Sequence, residues 1–272
     1  MDLGHRDARV IVTGGGANIG RGIALGLAAE GARVLVADID GPQAEAVAAE
    51  ARRAGAADAQ FAAADLTAPD AAAGVAGRAV SAWGGVDVLV NNAGWSKPGF
   101  FADQTDRRLW QRAVEVNLYT AIACTQAVLG PMREAGGGAV VFISSDSAFG
   151  AIRQGIYGST KAGLISLART VAREHGRHGI RSNVVAPGLV VPDDDAPAGS
   201  HSGRPGRDLH AGTGRLRAQP AAAAPDDHGR RHRQRGRVDL LAAGGTAGDR
   251  PGRRRRRRLD DAPEARTSVR SD

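Results

Sequence analysis

Short apolar, largely β-branched runs alternate along the first two thirds of the chain with longer Ala-rich stretches whose apolar positions recur every three or four residues. ARVIVTG is followed by a helical pattern from about Ile19 to Glu30, and ARVLVAD by another from about Pro42 to Ala54. The series continues through AQFAAADL, VDVLVNNAG, GAVVFISS and IRSNVVAPG, each followed or preceded by a helical stretch. This alternation predicts βαβ units joined into one parallel sheet of six strands. The strand runs are apolar throughout, which predicts central strands covered by helices on both faces. Gly31, Gly55 and Gly179 stand where helices should end before the next strand. The expected class is α/β, a doubly wound parallel sheet.

At about Val191 the pattern stops. Only Leu209, Leu216, Val238, Leu240, Leu241, Leu259 and Val269 represent the large apolar residues across positions 193–272. A segment so poor in apolar side chains cannot offset its ordering entropy by burial, so disorder is expected there. The chain therefore divides into a folded domain, 1–191, and an Arg/Ala/Gly-rich tail, 192–272.

Charge follows the same boundary. Residues 193–272 hold 18 Arg, no Lys and 12 acidic residues, leaving 18 basic against 17 acidic groups in the rest of the chain. The overall charge of +7 is thus a property of the tail, and the folded part is nearly neutral. Cys124 is the one cysteine, which excludes an intrachain disulfide. No run is long and apolar enough for a signal peptide or membrane span, so a soluble cytoplasmic protein is expected.

Three stretches carry chemistry. TGGGANIG, Thr13 to Gly20, lies between a strand and a helix, where small residues let the backbone approach a pyrophosphate and helix N–H groups hold its charge. A plain tight turn is the alternative. Asp38 ends the second strand in reach of an adenosine ribose; a carboxylate there accepts hydrogen bonds from both ribose hydroxyls and repels a 2′-phosphate, favouring NAD over NADP. A solvated loop aspartate is the alternative. YGSTK puts Tyr157 and Lys161 at i and i+4, neighbours on one helix face. A nearby ammonium stabilises phenolate, so the phenol is expected to titrate below its usual value and move a proton. The bland reading is an exposed Tyr/Lys pair, although each is one of only two residues of its type. The seven His show no ligand spacing, and no metal is expected.

Taken in order, Thr13-Gly14 with Gly20, Asp38, Asp65, NNAG at Asn91 to Gly94, Asn117, ISS at Ile143 to Ser145, Tyr157-x-x-x-Lys161 and APG at Ala186 to Gly188 resemble the short-chain dehydrogenase/reductase family over roughly residues 7–191. The resemblance implies a Rossmann-like fold and an oxidoreductase interconverting a secondary alcohol and a ketone. It gives Tyr157 the role of general acid/base and Ser145 a hydrogen bond to the reacting oxygen. Ser144 is the fallback, because the family more often has thirteen positions between this serine and the tyrosine than the twelve from Ser145. Lys161 would bind the nicotinamide ribose, and Asn117 would help hold a proton-relaying water. Gly14, Asn18, Ile19 and Gly20 would form the phosphate loop. Asp65 and Leu66 would border the adenine, Asn92, Ala93 and Gly94 line the cofactor cleft, and Pro187 and Gly188 close over the nicotinamide. Asn18 stands where the family usually has its middle glycine; asparagine is the non-glycine residue best able to take positive φ, so the turn should survive.

NNAGWSKPGFF, LWQRAVEVNLYTAI and SSDSAFG resemble the branch acting on alicyclic hydroxyacyl-CoA and 3-hydroxyacyl thioesters. Trp95 and Phe100 can wall an apolar pocket there or equally be core or interface aromatics. The family also implies a homodimer or homotetramer built through the C-terminal region.

Residues 192–272 do not resemble the family's last helix and seventh strand. Read one base later, an Arg codon of the CGN type followed by C becomes one for Val, Ala, Asp or Gly, and permitted codons for Asp249 to Asp261 then spell the family's TGQ…VDGG strand. The expected origin of the tail is a one-base frame change near Val190 to Pro192. Such a change calls the family's oligomer, and the activity of this polypeptide, into question. The alternatives are an inactive cofactor-binding remnant, an inert tail, or a basic arm in which Arg253 to Arg258 contact nucleic-acid phosphates, disfavoured for lack of interleaved aromatics.

Overall fold

The computed structural model describes residues 4–188 and Val190. Six strands form one all-parallel sheet in the order β3-β2-β1-β4-β5-β6. They are β1 Arg9–Thr13, β2 Arg33–Asp38, β3 Asp58–Ala63, β4 Val88–Asn91, β5 Gly138–Ile143 and β6 Ile180–Val185. The predicted α/β, doubly wound class and its six strands are what the structure has. The predicted tail disorder and the seventh-strand position lie outside the described residues.

The inner strands alternate between two helix layers, whereas β6, at the end of the strand order, departs from the expected two-sided cover: Ile180 is buried, but Arg181, Asn183 and Val185 are exposed. Ile11, Leu35, Leu89, Val140 and Phe142 face α3 (Ala71–Trp83), α5 (Thr120–Glu134) and α6 (Gly155–His175). Val10, Val12, Val34, Val36 and Val90 face α1 (Asn18–Ala29) and α2 (Gly41–Ala54). A period of two with both faces covered accounts for the uninterrupted apolar runs. The helices meet the sheet largely through alanine: Ala24 and Ala28 of α1, and Ala44, Ala48 and Ala51 of α2, are fully buried. Phe142 is the largest fully buried side chain among the described residues, so Phe142→Ala should cost about 3–5 kcal/mol in a urea unfolding titration.

The expected helix stops are present. Gly31, Gly55 and Gly179 all have left-handed φ, +80°, +113° and +76°, a conformation glycine adopts without a Cβ clash. Arg9 ties the start of β1 to the turn before β4, its guanidinium donating to both carboxylate oxygens of Asp87 at 2.8 and 2.5 Å. Between α4 (Arg107–Val114) and α5 the chain makes a π-helical stretch, Glu115–Tyr119, a local insertion frequent at functional sites. The strand order reverses between β1 and β4, and a crevice opens there beyond the carboxyl ends of the strands, where α/β sheets bind ligands.

Candidate active site

The glycine loop is held by side chains from the far side of the reversal. Thr13, buried at the end of β1, donates through Oγ1 to Val90 O (3.3 Å) and accepts from the N–H groups of Asn92 (3.0 Å) and Ala93 (3.1 Å). Asn92 returns the tie, its Nδ2 donating to Thr13 O (3.0 Å) and Gly14 O (2.8 Å). At Gly20 a Cβ would lie 2.0 Å from Gly14 O and 2.6 Å from Asn92 Nδ2, so no side chain fits. Asn18 takes φ +47°, the positive value its sequence position requires. The first turn of α1 has neither a side-chain cap nor an acidic residue, leaving its N–H groups and the positive end of the helix dipole turned to the loop. Asp38 braces the same loop: Oδ2 accepts from Gly16 N (2.9 Å) and Oδ1 from Asp40 N (3.0 Å).

These elements wall a cleft of about 490 Å³, within the range of small-molecule and cofactor sites. Of the predicted residues, Gly14, Asn18, Ile19, Gly20, Asp38, Asp65, Leu66, Asn92, Ala93, Gly94, Ser145, Tyr157, Lys161 and Pro187 line it. Asn117 and Gly188 do not. Asp65 accepts from Thr67 Oγ1 (2.6 Å) and Thr67 N (3.0 Å), and these bonds hold its carboxyl below the usual range.

Asn117 is fully buried within the π-helical stretch. Its Oδ1 accepts from Trp95 N (2.7 Å) and its Nδ2 donates to Trp95 O (2.8 Å), so the amide pins the segment after β4. Gly94 fills the space between: a Cβ there would lie 3.1 Å from Asn117 Oδ1 and 3.3 Å from Lys161 Nζ. Gly188 sits beside Asp146, whose carboxylate would be 3.8 Å from a Cβ at that position.

The two candidate serines separate clearly. Ser144 is buried and its Oγ donates to Lys161 O (2.8 Å), a bond between the end of β5 and α6. Ser145, which lines the cleft as Ser144 and Tyr157 do, is the less buried of the two serines. Its Oγ donates to Asp146 Oδ1 (3.0 Å) and accepts from Ser147 N (3.1 Å). Lys161 is buried, its Nζ donating to Ile143 O (2.8 Å) and lying 5.6 Å from the Tyr157 ring centre. Burial lowers the amine to about 8. Here the expectation for the phenol is corrected: Tyr157 lies above its ordinary value, raised first by burial, lowered in part by the Ser145 hydrogen bond and raised again by the charge of Asp146. Desolvation outweighs the ammonium, because the half-buried ring loses water that the buried amine, committed to a carbonyl, does not replace.

Sequence reasoning missed Arg112, Val116 and Thr120, which line the cleft at i, i+4 and i+8; that spacing was the available signal. The Arg112 guanidinium lies 5.3 Å over the Trp95 ring. Trp95 walls both the cleft and a small adjoining hollow that it shares with Lys97 and Tyr157, whereas Phe100 is exposed beneath the Arg153 guanidinium. Neither aromatic is a core residue of the sheet.

Comparison with known proteins agrees with this geometry. The family described as short chain dehydrogenase matches residues 8–201. A Thauera aromatica protein, (2S)-[(R)-hydroxy(phenyl)methyl]succinyl-CoA dehydrogenase subunit BbsD, is 36% identical over 69% of this chain and 75% of its own. The 3-alpha-(or 20-beta)-hydroxysteroid dehydrogenase of Mycobacterium tuberculosis (strain ATCC 25618 / H37Rv) is 37% identical over 68% of this chain and 72% of its own. The solved structure of a 7 alpha-hydroxysteroid dehydrogenase complexed with NADH and 7-oxo glycochenodeoxycholic acid superposes with a TM-score of 0.65 at 35% identity, covering 69% of this chain and 72% of that one.

Proposed function

Because the chain belongs to the short-chain dehydrogenase family, whose members use NAD(P) to act on alcohols, we propose that it interconverts a secondary alcohol and a ketone, with NAD preferred and Tyr157 moving the proton. The observation that carries this reading is the meeting of Ser145, Tyr157 and Lys161 in the same cleft wall as the Gly14–Gly20 cradle. The cradle fits a dinucleotide: a Cβ at Gly20 would fill it, and the helix that opens from it offers N–H groups to a pyrophosphate.

When bound, the nicotinamide supplies or takes the hydride. Everything else falls to the chain. Gly14, Asn18, Ile19 and Gly20 hold the phosphates, Asp65 and Leu66 border the base, and Asn92, Ala93, Gly94 and Pro187 frame the nicotinamide end. Ser145 hydrogen-bonds the reacting oxygen, Tyr157 gives or takes the proton at that oxygen, and Lys161 supplies charge beneath the ring. Asn117 keeps the Trp95 backbone, and with it the wall opposite Tyr157, in place. No helix among the described residues is long and apolar enough to cross a membrane.

The substrate class follows the resemblance to hydroxyacyl thioester and alicyclic alcohol dehydrogenases, supported by a relative named for a hydroxyacyl-CoA substrate. The test is NADH formation with hydroxyacyl-CoA esters, alicyclic alcohols and hydroxysteroids. NAD binding with no turnover of any would identify a cofactor-binding remnant instead. A homodimer or homotetramer stays part of the proposal only with an in-frame C-terminus. The frame change itself is tested by sequencing codons 185–272; no second frame encoding the strand would remove it.

NAD preference rests on Asp38, which closes the cleft where a 2′-phosphate would meet a like charge. Asp38→Ser should narrow the ratio of NADP to NAD dissociation constants by at least about tenfold, or 1.4 kcal/mol, in a binding titration. Part of the change will come from weaker NAD binding, since Gly16 N loses its acceptor.

A further inference from the structure

We propose that the hollow beside Tyr157 is a subsite for one hydroxyl group of the substrate, bound by donation to Gln104 Oε1, so that the alcohols this site favours carry a second hydroxyl on the carbon next to the one oxidised. The inference rests on the role proposed for Tyr157 and narrows the substrate class.

Gln104 is held from three sides. Its Nε2 donates to Lys97 O (2.7 Å), and its own carbonyl oxygen accepts from Trp110 Nε1 (2.6 Å). Gly99 packs on the side chain so closely that a Cβ there would lie 3.1 Å from Gln104 Cγ and 3.2 Å from Nε2. The Lys97 carbonyl can take only an N–H, which decides the orientation of the amide: the other terminal atom is the oxygen. That oxygen, Oε1, is buried and has no hydrogen-bond partner among the described residues. A buried acceptor in a fixed side chain is costly until a donor reaches it.

The hollow that Gln104 walls has a volume of about 20 Å³, room for one water-sized group. Leu109, Ala113 and Ile156 make much of its surface apolar. The polar neighbours are already committed: Trp110 Nε1 to Gln104 O, and Ser96 Oγ to Gln154 Oε1 at 3.0 Å. The donor for Gln104 therefore comes from outside the wall. A carboxylate brings only acceptors and is refused. A methyl group fills the space and leaves Oε1 unpaired. A hydroxyl meets both the size and the polarity, and water, which offers the same O–H, is the other source of it.

Trp95, Ser96 and Tyr157 line the hollow and the main cleft alike. A group seated in the hollow thus lies beside the phenol that exchanges the proton, and its carbon neighbours the reacting one.

The test compares two alcohols of nearly equal bulk, cyclohexane-1,2-diol and 2-methylcyclohexanol. In the full chain carrying Trp83→Phe the remaining tryptophans are Trp95 and Trp110, both walls of the hollow, so their fluorescence follows binding without cofactor and without turnover. The diol should bind at least about tenfold more tightly than the methyl alcohol. Gln104→Met, close in length but lacking the oxygen, should abolish or reverse that preference, with thermal unfolding confirming that the variant is folded. Equal affinities before any change at Gln104 would overturn the proposal and leave water as the occupant. A preference that survives Gln104→Met would overturn it too, by placing the second hydroxyl elsewhere. Failure of the enzymatic reading would appear separately, as a diol that binds with this preference and is not oxidised when NAD is added.

Discussion

Tyr157→Phe lowers kcat by about 10²–10⁴-fold in both directions, the usual contribution of a positioned acid/base, or about 3–5 kcal/mol of barrier. The substitution removes one oxygen and little else. The ring keeps its place over Lys161 and beside Trp95, so NAD affinity should change by no more than a few fold, read in a titration of the same sample. A loss of affinity as large as the loss of rate would mean that the phenol holds the cofactor and does not move the proton. The pH profile supplies a second check. Oxidation requires phenolate, and because Tyr157 is raised, its rate should still be climbing at alkaline pH. Lys161 loses its charge above about 8, so support for phenolate weakens across the same range. Both effects compress the window in which oxidation is fast. Reduction, which begins from the phenol, should be nearly flat through neutral pH.

Gly20→Ala is the change expected to do most damage to the cleft. The new methyl would stand 2.0 Å from the Gly14 carbonyl oxygen, a backbone atom held by Asn92 and unable to step aside. Either α1 moves away from the loop or the Thr13–Asn92 tie opens. Overpacking of this kind costs about 1–3 kcal/mol and occasionally more, and NAD affinity should fall at least about hundredfold, some 2.7 kcal/mol. The control lies on the same helix. A methyl added at Gly22 or Gly26 would meet no atom within 4 Å, so Gly22→Ala should stabilise the protein by about 0.5–1 kcal/mol through helix propensity. Thermal unfolding of the two variants, with and without NAD, separates crowding at the loop from alanine itself.

The sheet was readable because the inner strands β1, β2, β4 and β5 are apolar on both faces, a pattern that a doubly covered parallel sheet favours, while β6 exposes Arg181 and Asn183 on one face. The reacting residues were readable for a different reason: tyrosine and lysine are so scarce here that Tyr157 and Lys161 at helical spacing stand out. What escaped was the destination of hydrogen bonds. Sequence spacing left Ser144 and Ser145 as alternatives, and the choice depends on which hydroxyl the end of β5 turns toward the Lys161 carbonyl. The amide of Asn117 was expected to serve a water; it is committed to both polar groups of the Trp95 backbone, twenty-two residues away in sequence. The direction of the Tyr157 shift escaped for the same reason. A one-turn spacing reports that an ammonium is near, but not that a carbonyl has taken it or that the ring has lost its solvent.

The π-helical stretch between α4 and α5 carries one more residue in its turn than an α-helix would. Deleting a residue there would let the two helices run on as one regular rod, with better-formed backbone bonds. Yet every side chain on one side of the cut would swing by about 100° around the axis, carrying the buried amide off its backbone partner. The irregular turn is therefore a spacer whose length fixes the phase between two helices, and smoothing it would leave the wall facing the phenol without its fastening.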